Sequence, residues 1–251
     1  MGSLAADLAL ALDPVRLAQA AGITPDPWQR AVLSSHAPRI LLNVTRQGGK
    51  STISSLLAVH TAVYVPESLI LLVSPSLRQS AELFRKCLTT YRGLQRPVPA
   101  SAETQLKLEL ENGSRIVSLP GQESTLRGYS SVTLLCIDEA ARVEDPLYYS
   151  LRPMLAVSGG RAICMSTPWG RRGWWFAAWE DEPDWLKVEV PAALCPRISP
   201  AFLEQERRSL GPWWYRQEYE CQFSDTTDQV FSHDVLQASL SDEIAPLFAA
   251  G

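Results

Sequence analysis

The chain lacks any long apolar stretch: within its 251 residues no run approaches the roughly 18 that a membrane-spanning helix needs. Histidine is scarce, with three copies, and none stands at a metal-ligand spacing. The five cysteines (Cys87, Cys136, Cys164, Cys195, Cys221) are too scattered for a zinc or disulfide framework. They read as buried thiols of a reducing compartment, with no metal site. An excess of positive charge is also missing. The net charge of −4 excludes a uniformly basic nucleic-acid coat and leaves room for a local basic patch. Lysine is rare, at four against 19 arginines, a bias that a GC-rich genome explains. The N-terminal stretch from Leu4 to Ala21 lacks a basic start and carries Asp7 and Asp13, so it reads as one amphipathic helix and not a signal peptide. Internal repeats and low-complexity tracts are absent as well. What is there is an apolar content of 46%, enough for one large α/β domain, alone or with a small appendage.

The most informative stretch is Arg39-Ile-Leu-Leu-Asn-Val-Thr-Arg-Gln-Gly-Gly-Lys-Ser-Thr52. An apolar run (Ile40, Leu41, Leu42, Val44) breaks into a glycine-bearing turn, and an apolar stretch from Ile53 to Val59 continues without proline or glycine. That is strand, tight loop, helix. Gly49-Lys50-Ser51 matches the end of a phosphate-binding P-loop, whose backbone amides and helix N-terminus suit an anion. Lys50 would reach the β- and γ-phosphates and Ser51 would bind Mg²⁺. The pattern wants an earlier glycine where this chain has Val44, so by itself the loop could be an ordinary strand-to-helix turn.

A second stretch makes the phosphate reading the stronger one. Val132-Thr-Leu-Leu-Cys-Ile137 is a near-continuous apolar run, as a strand buried on both faces would be, and it ends in Asp138-Glu139. At such a strand tip one carboxylate can hold a metal's hydration shell and the next can orient an attacking water. The expectation is binding and hydrolysis of a nucleoside triphosphate.

Other segments fill in the frame. In Thr24-Pro-Asp-Pro-Trp-Gln-Arg30, Gln29 can hydrogen-bond an adenine edge and Trp28 can close one side of the pocket; Pro27 also suits a helix start, and the two readings are compatible. Ser68 to Val73 reads as another buried strand, followed by a helix over Leu77 to Tyr91. Arg92 to Ala100 reads as a proline-bearing loop that could touch DNA phosphates through Arg92 and Arg96, though such loops are more often merely solvated. Leu106, Leu108 and Leu110 alternate with polar residues, and Asn112-Gly113 marks a hairpin turn before Arg115 to Leu119. Arg161 to Met165 is one more strand, delivering Ser166-Thr167-Pro168, and Trp185 to Val190 another. Strands alternating with helices imply a mostly parallel sheet flanked by helices, with the site along one edge. Trp169, Trp174, Trp175, Trp179 and Trp185 crowd one region with Arg171 and Arg172. A small Trp-rich subdomain packed on the sheet is the better reading of them, and a base-stacking surface the other. The acids from residue 224 onward (Asp225, Asp228, Asp234, Asp242, Glu243) read as an exit segment. A two-metal nuclease is rejected there because no strand pattern presents them together.

The set Pro27-Trp28-Gln29, Thr45-Arg-Gln-Gly-Gly-Lys-Ser-Thr52, Leu126-Arg127-Gly128, Leu134-Leu-Cys-Ile-Asp-Glu-Ala140, Ser166-Thr167-Pro168 and Arg216-Gln-Glu-Tyr219 resembles the ATPase domain of large terminase subunits, the motors that package DNA into tailed-phage heads. The resemblance covers about residues 25 to 235, and the missing first glycine is usual for that family. It implies a P-loop NTPase fold of the additional-strand, catalytic-glutamate class. The division it suggests is an ATPase core over 1–168, a small lid-like subdomain over 169–223, and an exit segment over 224–251 with no nuclease domain. It implies ATP and Mg²⁺ as cofactors. Gln29 would read adenine, with Trp28 beside it. Thr45, Arg46, Gln47, Gly48, Gly49, Lys50, Ser51 and Thr52 would wrap the phosphates. Ser51 and Asp138 would serve the metal, Glu139 would orient the water, and Ser166, Thr167 and Pro168 would couple the γ-phosphate state to the rest of the motor. The implied partners are double-stranded DNA, further copies of the chain in a ring, the portal, the small terminase subunit, and a nuclease in cis or in trans. The implied setting is the host bacterial cytoplasm, with no membrane. A nucleotide-switch or assembly module with little turnover, and a helicase-like DNA-dependent ATPase, are the alternatives.

Phosphoryl transfer also asks for a cation on the γ-phosphate, worth about 10³–10⁵ in rate. Arg46 can act only on its own nucleotide or hold the loop's shape. Arg142, just past the acidic strand, is expected to point out of its own site toward a neighbouring subunit's ATP, or else to pair at the surface with Glu144 or Asp145.

Overall fold

A computed structural model describes residues 4–121, 128–224, 235 and 239 of the chain. Leu126 and Arg127, and the acids Asp225, Asp228, Asp234, Asp242 and Glu243, lie outside the described residues.

The described residues form one eight-stranded sheet in the order β3-β4-β5-β2-β6-β7-β1-β8. The strands are β1 (Arg39–Val44), β2 (Leu69–Ser74), β3 (Ala100–Glu103), β4 (Lys107–Leu110), β5 (Arg115–Pro120), β6 (Leu134–Asp138), β7 (Arg161–Ser166) and β8 (Leu186–Val190). From β5 to β8 along that order every neighbouring pair is parallel, and the β3-β4-β5 edge is antiparallel. The acidic strand β6 and the P-loop strand β1 are not neighbours; β7 lies between them, as the additional-strand class requires.

The pleat divides the apolar residues of the central strands between two cores. Ile40, Leu42, Ile70, Leu72, Leu134, Cys136, Ile163 and Met165 pack on one face. Leu41, Leu71, Val73, Leu135, Ile137 and Cys164 pack on the other. The first face is covered by α4 (Lys50–Tyr64) and α5 (Leu77–Gly93), with α2 (Pro14–Ala20) and α3 (Pro27–Leu33) against α4. α4 buries Ile53, Leu56, Leu57, Val59 and Val63, so it sits inside the domain and not on its surface. The second face takes Tyr148 and Leu151 of α6 (Asp145–Leu151) and Trp174 and Trp175 of α7 (Gly173–Asp181). Tyr148 and Trp174 stack at 3.6 Å between ring centroids, and the Trp174 indole donates to the Val143 carbonyl at 2.9 Å.

Several expectations change here. The N-terminal segment is two helices, α1 (Leu4–Leu12) and α2, because Pro14 cannot continue the first; Asp13 caps the second by accepting from the Val15 amide at 2.8 Å. The segment after residue 168 packs on the ATPase sheet: β8 hydrogen-bonds to β1, and Trp174, Trp175 and Trp185 belong to the second core. Trp179 packs against that core, as the preferred reading of the tryptophans has it, and Trp169 lies half-buried over Arg142. The loop expected over residues 92–100 stands at 94–99, and β3 follows it, where Glu103 pairs with Arg92 and, at 3.7 Å, with Arg96. The hairpin at Asn112-Gly113 stands where expected, with Gly113 at φ 83°. All five cysteines are free and buried, and burial pushes the Cys136 and Cys221 thiols up to about 12, far from reactive thiolates.

Candidate nucleotide site

The site forms where β1, β6 and β7 end. Beyond Val44 the chain turns back on itself: the Gly48 amide donates to the Thr45 carbonyl at 3.2 Å. A Cβ on Gly48 would meet the Val44 side chain at 2.5 Å and the Thr45 carbonyl at 3.0 Å, so the residue must be glycine. Gly49 follows at φ 93°, and a Cβ there would meet the Gln29 amide nitrogen at 2.5 Å. With Gly49 as its N-cap, α4 starts at Lys50 and aims its first free amides into the turn.

The loop is anchored from below by α8 (Pro200–Tyr219). Glu218, almost fully buried, accepts the Thr45 hydroxyl and the Arg46 amide on its carbonyl at 2.9 and 3.4 Å, and its carboxylate pairs with the Arg46 guanidinium at 2.7 Å. The Asn43 side-chain amide donates to the Cys221 carbonyl at 2.7 Å. Arg46 therefore holds the loop to α8 in this structure, one of the two roles open to it. Thr45, fully buried, serves the same anchor and does not line the cavity.

Glu139 lies across from the loop. Its backbone is left-handed at φ 51° and ψ 43°, a conformation costing a non-glycine residue roughly 1–2 kcal/mol. The turn presents its carboxylate to two cations, Lys50 at 3.4 Å and Arg142 at 2.7 Å. Arg142 also reaches Glu218 at 3.9 Å and lies over the Trp169 ring at 4.4 Å. The expected outward orientation of Arg142 is thus not what the fold produces. A tight 3₁₀ turn over Ala140–Arg142 folds its side chain back into its own site, onto Glu139 and not onto Glu144 or Asp145.

Asp138 is buried at the tip of β6, and its carboxyl is pushed up to about 6, chiefly by burial and then by the neighbouring Glu139 charge. It accepts the Glu139 amide at 3.0 Å, and among the described residues no cation stands within ion-pair distance of it. Ser51 and Asp138 line the same recess, about 450 Å³ in volume, together with Ser76, Gln79, Lys86 and Glu139. A hydroxyl and an uncompensated buried carboxylate are hard oxygen donors, a pair that fits Mg²⁺ completed by phosphate oxygens and water. The larger neighbouring cavity, about 930 Å³, is lined by Gln47, Gly49, Lys50, Ser51 and Thr52 along the loop, by Glu139, Arg142 and Lys86 at one end, and by Thr24, Gln29 and Arg197 at the other.

Trp28 packs against the core beneath α3 and does not line that cavity. Gln29 does line it, but its amide is already engaged: Oε1 accepts the Asp26 amide at 2.9 Å and Nε2 lies 3.4 Å from the Gly49 carbonyl. Ser166, Thr167 and Pro168 are buried behind the site, where the Ser166 and Thr167 hydroxyls lack hydrogen-bond partners, and the following Trp169 is the residue that reaches Arg142. Three contributors escaped the sequence reading, and a fourth, Glu218, stood in the quoted Arg216-Gln-Glu-Tyr219 segment without a role. Gln79 and Lys86 lie seven apart on one face of α5, a helical spacing that sequence could have revealed. Arg197 arrives from far along the chain and leaves no local signal.

A glycine-bearing loop capping a buried helix, with an acidic strand one strand removed, defines a P-loop NTPase fold. A family model described as terminase large subunit, T4likevirus-type, N-terminal, matches residues 41–238, and the chain belongs to that family. The chain is 28% identical over 227 residues to the large terminase subunit of Escherichia phage T5, an alignment covering 84% of this chain and 50% of that protein. The large terminase subunit of Thermus virus P23-45 is 26% identical over 252 residues, with 84% and 51% covered. The chain thus spans about half the length of the curated relatives it matches. The solved ATPase domain of the Thermus phage P74-26 large terminase shares the fold with a TM-score of 0.75 at 22% identity, across 85% of this chain and all of that one.

Proposed function

We propose that this chain hydrolyses ATP with Mg²⁺ and that the turnover drives double-stranded DNA into a viral capsid. The observation that carries the reading is the convergence of Lys50 and Arg142 on Glu139, beside Ser51 and Asp138, in a cavity floored by the P-loop. The loop amides and Lys50 bind the β- and γ-phosphates. Ser51 and Asp138 would hold the metal, which would neutralise charge developing on the phosphate oxygens. Glu139 orients the attacking water and takes up its proton, and Arg142 fixes the rotamer of the Glu139 carboxylate. The buried Ser166-Thr167-Pro168 segment, joined to Arg142 through Trp169, carries the state of the γ-phosphate to the rest of the motor. The partners that follow are DNA, further copies of the chain in a ring, a portal, a small terminase subunit, and a nuclease in cis or in trans. Among the described residues no cluster of three or more His, Cys, Asp or Glu can hold a metal ion. No helix among them is long and apolar enough to cross a membrane, and the host cytoplasm is the proposed setting.

Phosphate release with and without double-stranded DNA tests this, using Lys50→Ala and Glu139→Gln. Lys50→Ala loses nucleotide affinity together with turnover, whereas Glu139→Gln keeps ATP binding and loses turnover. Parent-level hydrolysis by Glu139→Gln would remove the catalytic assignment. ATP binding without turnover in the parent would favour a nucleotide switch.

A further inference from the structure

Arg197 sits in the connection between β8 and α8, with nothing local to mark it. Its Nη2 donates to the Gly48 carbonyl at 2.9 Å, and its Nη1 pairs with Asp26 at 2.8 Å. It therefore bridges the P-loop and the turn that begins α3. It stands beside Gln29 over Gly49, where both side chains lie within 3 Å of the place a Cβ would occupy. Nearly half of the Arg197 side chain is solvent-exposed, and it lines both the nucleotide cavity and a more apolar recess of about 460 Å³ bounded by Ile198, Phe202 and Tyr219.

The ends of the nucleotide cavity differ in chemistry. Lys50, Lys86, Glu139 and Arg142 crowd the end where the terminal phosphate would lie. The opposite end holds Ile23, Thr24, Gln29 and Arg197, and there the base of a nucleotide threaded along the loop would emerge. Contacts to Asp26 and Gly49 hold the Gln29 amide by one lone pair and one N–H, and beside it Arg197 offers a planar cation to a planar base. A guanidinium held by its edge keeps its faces open, and such a face stacks on an aromatic ring as an ammonium cannot.

We infer that Arg197 is the base-end contact of the nucleotide site, with its guanidinium plane against the nucleobase while its edge stays on Gly48 and Asp26. This rests on the ATP-binding reading above and goes beyond it by naming a residue that selects a nucleoside triphosphate over a bare triphosphate. Thr24 and Ile23 flank the base, and the Asp26 carboxylate sets the angle of the guanidinium.

The test compares equilibrium binding of Mg²⁺-ATP and of inorganic Mg²⁺-triphosphate to the parent, Arg197→Ala, Arg197→Lys and Arg197→Gln. Arg197→Ala is expected to weaken ATP on the order of three- to tenfold more than it weakens triphosphate, whose loss reports only the brace on Gly48. Arg197→Lys should recover little of the loss, and Arg197→Gln, which keeps a planar group and a donor for Gly48, should recover more. Equal weakening of ATP and triphosphate would overturn the inference, because Arg197 would then only brace the loop; so would unchanged ATP binding in Arg197→Ala. A parent that binds neither ligand would refute the nucleotide site itself, an outcome distinct from both.

Discussion

Replacing Arg142 with alanine removes the shortest contact to the Glu139 carboxylate, 2.7 Å from guanidinium to Oε2. Both side chains are at most a quarter exposed, so water screens the pair only in part. A charge-assisted hydrogen bond of this kind contributes about 1.5–3 kcal/mol. If that energy holds Glu139 in the rotamer that aims the water, its loss slows the chemical step on the order of ten- to a hundredfold. The P-loop should survive, because Arg46 keeps its own 2.7 Å pairing with Glu218. Nucleotide affinity then changes little, since Lys50 still faces the phosphates. Steady-state phosphate release against ATP concentration separates the two effects: kcat falls and KM holds. Mixing subunits distinguishes this cis role from an arginine finger offered to a neighbour. Arg142→Ala and Lys50→Ala subunits mixed together should show no more than the residual activity of Arg142→Ala, because each lacks part of a site completed within one chain. Recovered activity in the mixture, or a parent-level kcat in Arg142→Ala alone, would refute the reasoning.

Asp138 supplies a pH signature. A carboxyl raised from 3.8 to about 6 in the folded state stabilises the protein below the lower value and loses that contribution as pH rises through 6. At about 1.4 kcal/mol per pH unit the total is about 3 kcal/mol, roughly half of it falling between pH 5 and 8. Asp138→Asn should therefore gain stability relative to the parent on going from pH 5 to 8 without nucleotide, read by denaturant unfolding; a difference that does not move with pH would show that the carboxyl is not raised. Trp174→Ala, which deletes a buried ring stacked on Tyr148, should cost about 3–5 kcal/mol of stability in the same unfolding measurement. A cost below about 1 kcal/mol would mean that this core face collapses around the loss.

The parts legible in the sequence share one property: each is encoded by neighbours along the chain. Strands β1, β2, β6 and β7 appear as apolar runs because a parallel strand is buried on both faces. Gly48 to Ser51 and Asp138-Glu139 stand out because a phosphate loop and a strand-tip acid need particular residues at particular offsets. The split of the N-terminal helix at Pro14 was legible too, from proline's missing amide alone, yet the Ala/Leu pattern running across it suggested a single helix.

The orientation of side chains at the site was settled by tertiary structure. Arg142 turns inward because the left-handed backbone at Glu139 and the tight turn after it reverse the chain, and neither is written in residue spacing. Glu218 and Arg197 reach the loop from more than 140 residues away, as the Arg197 contact with Gly48 spans 149 positions. Trp174, Trp175 and Trp185 are core on the sheet that β8 completes by pairing with β1, a pairing between distant segments. Sequence alone therefore determined which chemistry is present: a phosphate loop, a metal-side carboxylate and a water-orienting glutamate. Only the packed chain decided which cation faces which carboxylate. That choice depends on backbone reversals and long-range contacts, whose free energy comes from burying distant segments together.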